Sequence, residues 1–318
     1  MILPLLLILV SFAVLFFGAE LLVRGGASMA LKLGLSPLVI GLTVVAYGTS
    51  MPELIVSLKA AFNGQPDIAI GNVVGSNIFN IAVILGLSAM VFPIATNLQV
   101  LKWDAPLLVV VTLLVPLTFL DGEVQRWEAG VFLVGAGLST WWTIRLARKD
   151  ECSGREIAAD VPEIRRAGRL WKDVVLIGAG LIVLVVGSRL LVDNATVVAR
   201  SFRVSEAVIG LTIIAAGTSM PELATSVVAA FRGQSDIALG NVLGSNLFNL
   251  LFVLGGASVV QPVRTAAMNP LDLGVMIGLT VVLLPFLFTG KRVTRAEGLM
   301  LVATYGVYLF LMWPKGGA

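Results

Sequence analysis

Long apolar runs separated by short polar turns make up most of this chain of 318 residues. A helix needs about 20 apolar residues to cross the roughly 30 Å hydrocarbon layer of a membrane. The pattern predicts an all-α polytopic membrane protein with breaks at turn or charge clusters such as NGQPD, TNLQ and RGQSD. The ten predicted spans cover residues 1–23, 36–62, 68–92, 103–120, 127–147, 172–193, 205–231, 237–260, 270–288 and 295–313.

The second half of the chain repeats the first. Adding 169 to a residue number in the first half gives its counterpart, so that GLTVVAYGTSMPEL from Gly41 matches GLTIIAAGTSMPEL from Gly210. Between Val39 and Asn80, 30 of 42 positions are identical to their counterparts. We therefore predict two five-helix repeats, residues 1–147 and 172–318, joined by a polar linker at 148–171.

The predicted number of spans in each repeat fixes how the two repeats are related. Because five is odd, the second repeat enters the membrane from the opposite side, and the two repeats are inverted about an axis in the membrane plane. Most lysines and arginines fall in loops and helix ends on the side of the linker. The positive-inside rule then predicts a cytoplasmic linker and both termini outside.

Composition excludes several classes of protein. Hydrophobic residues make up 58% of the chain and charged residues 13%, which is unlike a soluble domain. The absence of histidine excludes histidine-based zinc sites and Ser/His/Asp triads, and a single cysteine, Cys152, excludes an intrachain disulfide. A net charge of +3 without basic blocks gives no support for nucleic-acid binding.

Both repeats place the motif GTSMPE in the middle of an apolar run, with glutamates Glu53 and Glu222. A carboxylate inside a membrane is costly and indicates a functional site. The prolines before them, Pro52 and Pro221, lack the amide hydrogen that would satisfy a carbonyl four residues earlier. Freed carbonyls, the carboxylates and neighbouring hydroxyls could bind a desolvated cation, and these hydroxyls are Thr49, Ser50, Thr218 and Ser219.

A second duplicated motif, GNVVGSNIFN and GNVLGSNLFN, follows each of these runs. Its polar residues recur every four positions and so form one stripe on a helix: Asn72, Ser76 and Asn80, repeated as Asn241, Ser245 and Asn249. All of these ligands are oxygens, the set that suits Na⁺, Ca²⁺ and similar hard cations. Elsewhere, we expect Asp67 and Asp236 to cap helices, Asp104 to be interfacial and Glu20 to lie outside the site.

The paired GTSMPE and GNVVGSN/GNVLGSN motifs resemble the two alpha repeats of the cation/Ca²⁺ antiporters, specifically the sodium/calcium exchanger type of bacteria and archaea. The likeness covers nearly the whole chain, with alpha repeats at about 41–87 and 210–256. It implies ten helices in two inverted five-helix repeats, with ion sites at mid-membrane. The ligating positions it implies are Ala46 and Ala215 through backbone carbonyls, and Thr49, Ser50, Glu53, Ser76, Asn80, Thr218, Ser219, Glu222, Ser245 and Asn249.

The resemblance implies a secondary active antiporter that exchanges Ca²⁺ for Na⁺ across the inner (plasma) membrane and expels Ca²⁺. GTS before each glutamate favours Na⁺ over H⁺ as the coupling ion, and asparagine at both 80 and 249 argues against dependence on K⁺. We expect no cofactor and no enzymatic activity. The expected partners are Ca²⁺, Na⁺ and the lipid bilayer, and the sequence does not identify a protein partner.

Three alternatives remain open from the sequence. Ca²⁺/H⁺ exchange could use the same two glutamates, because two protons neutralise them as well as one Ca²⁺ does. An intramembrane hydrolase would use Glu53 and Glu222 as acid and base, but it would lack a histidine and a basic residue near the motif to hold an anionic transition state. A passive cation channel fits less well, since inverted repeats with discontinuous helices are typical of transporters.

Overall fold

Helices form most of this computed structural model, which describes residues 2–153, 169–202, 213, 215–264 and 268–312. Helices suit an apolar chain because they satisfy their own backbone hydrogen bonds in lipid. The described helices are α1 (Ile2–Leu33), α2 (Pro37–Thr49), α3 (Met51–Phe62), α4 (Asp67–Val91), α5 (Val100–Phe119), α6 (Arg126–Ser153), α7 (Leu170–Ser201), α8 (Ala215–Thr218), α9 (Met220–Phe231), α10 (Ser235–Val260), α11 (Pro270–Phe288) and α12 (Arg295–Met312). The short strands are β1 (Ile94–Ala95), β2 (Glu123–Val124), β3 (Val263–Arg264) and β4 (Arg292–Val293).

Seven of the described helices are long and apolar enough to cross a membrane, namely α1, α4, α5, α7, α10, α11 and α12. Helices α2 and α3 meet at a bend of 44° and make an eighth candidate if they form one span. Helix α6 has 28 residues, which is about 42 Å at 1.5 Å per residue. The predicted span 205–231 lies partly outside the described residues. The chain is a helical polytopic membrane protein, and the number of ten spans stays a prediction.

Several helices extend beyond the predicted spans. Helix α1 continues from residue 23 to Leu33, and α6 continues into the predicted linker as far as Ser153. The added segments contain arginine and lysine, which are good helix formers, so a change to polar sequence does not end a helix. Residues 154–168 of the predicted linker lie outside the described part of the chain.

Two short antiparallel ribbons tie the halves of the chain together. Strand β1 pairs with β4, placing Ile94 opposite Val293, and β2 pairs with β3, placing Val124 opposite Val263. Adding 169 to 94 gives 263, and adding it to 124 gives 293. The two ribbons are therefore the same pair of positions with the halves exchanged, and each joins a loop of one half to a loop of the other.

Helices α4 and α10, which carry the GNVVGSN and GNVLGSN motifs, form the centre of the bundle. The protein buries 72% of the apolar window of α4 and 94% of that of α10, against 22% for α1 and 11% for α12. Glycine makes this burial possible on α10, because a Cβ at Gly244 would lie 2.5 Å from the carbonyl oxygen of Leu42 in α2. A Cβ at Gly75, the counterpart on α4, would meet nothing within 4 Å.

Helices α1 and α7 pack together along their length. Glycines allow this close approach: a Cβ at Gly18 would lie 2.9 Å from the backbone nitrogen of Leu184, and one at Gly187 would lie 3.1 Å from Leu15. Gly25 lies at the same interface, because a Cβ there would lie 3.0 Å from side-chain atoms of Leu176 and Ile177. Gly26 instead faces Ile40 and Val45 of α2.

Ion pairs bind α1 to its neighbours. The buried Glu20 carboxylate accepts a hydrogen bond from Arg24, one turn later, and another of 2.9 Å from Arg232, just after α9. Lys32 Nζ lies 2.6 Å from Asp173 Oδ2 at the start of α7. Because both Glu20 oxygens are committed to arginines, this carboxylate serves packing between helices.

Asp104 is only 2% exposed and one of its oxygens has no hydrogen-bond partner among the described residues, so its side chain is buried between helices. Its place at a membrane interface stays a prediction. The expectation that Asp67 and Asp236 cap helices is wrong. Asp67 and Asp236 do not cap their helices, because Gln65 and Gln234 occupy the N-cap positions and no side-chain cap bond forms. Asp236 accepts a hydrogen bond from Asn97 instead, at 3.2 Å. A position inside the first turn still suits a carboxylate, since the helix dipole favours negative charge there.

The contrast between Gly244 and Gly75 gives a matched test of the packing. Gly244→Ala places a methyl group against the α2 backbone and should destabilise the protein by about 2 kcal/mol, the usual cost of overpacking. Gly75→Ala should be neutral or slightly stabilising, because its methyl group enters open space and alanine favours a helix. Thermal unfolding of the detergent-solubilised protein measures both, and equal melting temperatures for the two variants would contradict the packing.

Candidate ion-binding site

Both GTSMPE motifs interrupt a helix at the serine. Helix α2 ends at Thr49 and α3 begins at Met51, while Ser50 has φ −83° and ψ 8°. The second motif repeats the break: α8 ends at Thr218, α9 begins at Met220, and Ser219 has φ −90° and ψ 10°. The proline two residues after each serine, Pro52 or Pro221, has no amide hydrogen to continue the preceding helix. Each break therefore sets the serine and glutamate side chains at the start of a new helix.

The two breaks meet in the interior. Ser50 Oγ donates a hydrogen bond of 2.8 Å to Glu222 Oε1, and Ser219 Oγ donates one of 2.9 Å to Glu53 Oε1. Each glutamate is 1% exposed. The bonds are reciprocal, since 50 and 219, like 53 and 222, differ by 169. Each half of the chain therefore supplies the hydroxyl that holds the other half's carboxylate.

The second oxygen of each carboxylate has no hydrogen-bond partner among the described residues. Glu53 Oε2 and Glu222 Oε2 are buried without a hydrogen bond, and neither glutamate forms an ion pair with a lysine or arginine among the described residues. Burying an unpaired carboxylate costs several kcal/mol unless a positive charge compensates it. A bound cation would supply the positive charge that these two buried oxygens lack.

The polar stripes of α4 and α10 run beside the glutamates. Ser219 Oγ lies 3.4 Å from Ser76 Oγ, and Ser245 Oγ donates to the carbonyl oxygen of Ala46 at 3.5 Å. Asn80 and Asn249 each begin a π-helical turn, a widening of the helix often found at functional sites. Asn80 Oδ1 and both polar atoms of Asn249 are buried without a hydrogen-bond partner among the described residues, so their amide oxygens are free to bind an ion.

The remaining predicted ligands are two threonines and two alanines. Thr49 Oγ1 lies 3.0 Å from the carbonyl oxygen of Val45 and 3.1 Å from Asn241 Oδ1. The carbonyl oxygen of Ala46 already accepts from the backbone amide of Ser50 at 3.0 Å. Thr218 faces the cavities described below, and Ala215 begins α8.

Asn72 and Asn241 hold the backbone around the glutamates. Asn72 Nδ2 donates to the carbonyl oxygen of Glu53 at 3.1 Å and to Ser57 Oγ at 2.9 Å. Asn241 repeats the pattern with Glu222, at 3.3 Å, and with Ser226, at 2.9 Å. These amides fix α3 against α4 and α9 against α10, so they position the carboxylates. The serines at 57 and 226 were not singled out in the sequence, although the repeat pairs them.

Two further groups were missed from the sequence. Asn246 joins the halves, because its Oδ1 accepts from Asn80 Nδ2 at 2.9 Å and its Nδ2 lies 3.5 Å from the carbonyl oxygen of Asn77. Ser188 in α7 donates at 2.5 Å to the carbonyl oxygen of Gly217, one of those freed by proline. That carbonyl was expected to face a cation, and the hydroxyl satisfies it instead. The counterpart of Ser188 is Ala19, which has no hydroxyl to donate.

Cavities reach the site from one side. A cavity of about 340 Å³ touches Ser76 and Thr218 at one end and Asp272 and Met312 at the other. A second cavity of about 240 Å³ also touches Thr218 and lies between α3 and α7. The first cavity is lined by Gly71 and Gly75 of α4, and the second is lined by Pro52 of α3. On the second half, α2 covers Gly240 and Gly244 closely.

The donor set is typical of a hard-cation site. It consists of two carboxylates, serine and threonine hydroxyls and asparagine amides, and no group of three or more acidic, cysteine or histidine side chains occurs among the described residues. Such oxygens suit Na⁺ and Ca²⁺. The family described as "Sodium/calcium exchanger protein" matches residues 3–145 and 172–313 of this chain. The chain belongs to that family.

The chain is also similar to individual proteins over nearly the whole length of both sequences. The sodium/calcium exchanger MaX1 of Methanosarcina acetivorans is 31% identical over 343 residues, covering 97% of this chain and 98% of MaX1. The inner membrane protein YrbG of Escherichia coli (strain K12) is 36% identical, covering 98% of each. A solved structure of the sodium-calcium exchanger NCX_Mj, soaked with Na⁺ and Ca²⁺, superposes with a TM-score of 0.83 at 30% identity, covering 98% of this chain and 99% of that chain. The family is one of membrane antiporters for Ca²⁺ and other cations, not of catalytic enzymes.

The reciprocal serines give a test of the site that does not require transport. Ser50→Ala and Ser219→Ala each remove one hydroxyl from the carboxylate pair, and a net hydrogen bond of about 1 kcal/mol corresponds to about fivefold weaker Ca²⁺ binding. The rise in melting temperature with added Ca²⁺ measures this affinity. Thr304→Ala, which removes an exposed hydroxyl from α12, is the control. Unchanged Ca²⁺ dependence in both serine variants would remove these hydroxyls from the site.

Proposed function

We propose that this chain is a secondary active antiporter that exchanges Ca²⁺ for Na⁺ across the inner (plasma) membrane by alternating access, in the direction of Ca²⁺ efflux. The observation that carries the proposal is the pair of buried glutamates, each held by a serine of the other half and each with an unpartnered oxygen. Neutralising this pair requires two positive charges, which one Ca²⁺, two protons or several Na⁺ can supply. Competition for the same carboxylates is what couples the two ions.

The proposed ligands are the twelve positions that the family resemblance implies. Glu53 and Glu222 would bind the divalent ion, and hydroxyls, amides and two carbonyls would complete its coordination. The unpartnered amide oxygens of Asn80 and Asn249 support this assignment. The other proposed ligands are Ala46, Ala215, Thr49, Thr218, Ser50, Ser219, Ser76 and Ser245.

The proposed architecture is ten spans in two inverted five-helix repeats, residues 1–147 and 172–318, with alpha repeats at 41–87 and 210–256. The two ribbons support it, because each pairs equivalent loops with the halves exchanged. Ten crossings put β1 and β4 on one side of the membrane and β2 and β3 on the other, so each ribbon forms without crossing the bilayer. The sequence supports a cytoplasmic linker at 148–171 and termini outside.

With that orientation, the two cavities open to the outside. Helix α11 begins and α12 ends on the outer side, and Asp272 and Met312, near those helix ends, line the 340 Å³ cavity. The inner side is closed by α2 against Gly240 and Gly244. This conformation would release Ca²⁺ and take up Na⁺ from outside.

The first transport prediction concerns the carboxylates. Glu53→Gln or Glu222→Gln preserves shape but removes half of the negative charge, so each should reduce Na⁺-driven ⁴⁵Ca²⁺ uptake into proteoliposomes at least a hundredfold while the protein remains folded. Glu123→Gln, in β2 and outside the site, is the matched control. Uptake near the wild-type rate in either site variant would remove that glutamate from the transport step.

The coupling ion can be identified in the same vesicles. Three Na⁺ per Ca²⁺ move one net charge per cycle, worth about 2.3 kcal/mol at 100 mV, whereas two protons move none. We expect Ca²⁺ uptake to follow the Na⁺ gradient and to change with a K⁺/valinomycin potential according to its sign. Uptake that ignores Na⁺ and follows a pH gradient would establish Ca²⁺/H⁺ exchange through the same glutamates.

The orientation can be tested with single cysteines in a Cys152→Ser background. Asn63 lies in the exposed turn between α3 and α4, on the predicted outer side, and Thr289 is exposed after α11, on the predicted inner side. A membrane-impermeant thiol reagent applied to intact cells should label Asn63→Cys and leave Thr289→Cys unlabelled. The reverse pattern would invert the proposed topology.

A further inference from the structure

The larger cavity connects the candidate ion site to the end of the bundle. Ser76 and Thr218 lie at its inner end, next to the glutamates, and Asn72 lies along its wall. Asp272, in the first turn of α11, and Met312, the last residue of α12, lie at its other end. An ion that passes between the site and the bundle surface through this space therefore passes Asp272.

Asp272 is the one carboxylate among the residues that line this cavity. The other described lining groups are apolar or neutral, so among the described residues the negative charge on the cavity wall comes from this side chain. No lysine or arginine forms an ion pair with Asp272 among the described residues. Its charge is therefore available to a cation that enters.

Tyr308 fixes the direction of this carboxylate. Its Oη donates a hydrogen bond of 3.0 Å to Asp272 Oδ1, joining α12 to α11. Tyr305 lies beside Tyr308, with ring centroids 5.9 Å apart, and also lines the cavity. One carboxylate oxygen is thus held by a phenol, and the aromatic rings restrict where the side chain can turn.

We propose that Asp272 is the access residue for cations on this side of the membrane, a carboxylate that concentrates Ca²⁺ in the cavity and delivers it to the transport site without remaining a ligand there. The proposal rests on the exchange activity proposed above. Charge lining a cleft with low-dielectric walls raises the local concentration of counter-ions and their rate of association. A divalent ion gains twice as much from one carboxylate as Na⁺ does, so Asp272 favours Ca²⁺ over Na⁺ at this step.

The other half of the chain carries a similar carboxylate on its closed side. Asp104 lies one position from the counterpart of Asp272, since 272 minus 169 is 103. Helix α5, which carries Asp104, packs on α10, just as α11 packs on α4. Asp104 is buried, one of its oxygens has no hydrogen-bond partner among the described residues, and it does not line either of the two cavities described above. Each half therefore has a carboxylate near the start of the corresponding helix, and the one in the second half, Asp272, lines the cavity.

The test is Ca²⁺ uptake by full-length Asp272→Asn in proteoliposomes whose orientation has been established by thiol labelling. With Ca²⁺ on the Asp272 side, we expect the half-saturating Ca²⁺ concentration to rise about threefold to tenfold, and that for Na⁺ to rise less. With Ca²⁺ on the opposite side it should not change. Raising ionic strength with choline chloride should remove the difference from wild type, because the Debye length falls to about 3 Å at 1 M.

Two variants separate charge from structure. Tyr308→Phe removes the hydrogen bond but keeps the carboxylate, so its half-saturating Ca²⁺ concentration should stay within about twofold of wild type. Asp193→Asn neutralises a carboxylate that lines the second cavity beside Arg189, and it should also resemble wild type. If Asp272→Asn has wild-type half-saturation and salt dependence while wild type transports Ca²⁺, the inference about Asp272 is wrong and the proposed function stands. Absence of Ca²⁺ transport in the wild type would overturn the proposed function itself.

Discussion

Two buried carboxylates, each held by a serine from the other half of the chain, constrain the rest of this structure. Neither Glu53 nor Glu222 forms an ion pair with a described lysine or arginine, so their charges must be balanced by something that binds. The helices are broken at the preceding serines, and Asn72 and Asn241 hold the backbone that carries the glutamates. The proline-broken helix of each half is thereby linked to the proposed cation site between the two halves.

The two halves have nearly the same sequence in this region but different surroundings. Gly75 faces open space, whereas Gly244 is covered by α2. The hydrogen bonds around the glutamates keep the repeat's symmetry, as do the two ribbons, while the cavities do not. A transporter with inverted repeats can exchange these surroundings to open the opposite side. The asymmetry therefore lies in the cavities, and under the proposed alternating access the symmetric centre would remain the same in both states.

Polar groups outside the two motifs support them. Ser188 satisfies the carbonyl of Gly217, and the ion pairs of Glu20 and Lys32 bind α1 to α9 and α7. The Glu20–Arg232 and Lys32–Asp173 contacts join residues that are 212 and 141 positions apart in the sequence. They show how charged residues inside the bundle are paired in a lipid environment, where an unpaired charge is costly.

The amino-acid sequence determined the helical class, the duplication and the family. The length of the apolar runs, the repeat at an offset of 169 residues and the two specific motifs can all be recognised from the order of residues, without knowing which helices touch. It also identified Glu53 and Glu222, since a carboxylate within an apolar run is too costly to bury unless it binds something. Only the tertiary structure decided that Ser50 faces Glu222 and not Glu53, that Asn246 bridges α4 and α10, and that Asp104 is buried. Those contacts depend on how distant helices meet, and hydrophobic periodicity records which face of a helix is apolar but not which helix packs against it.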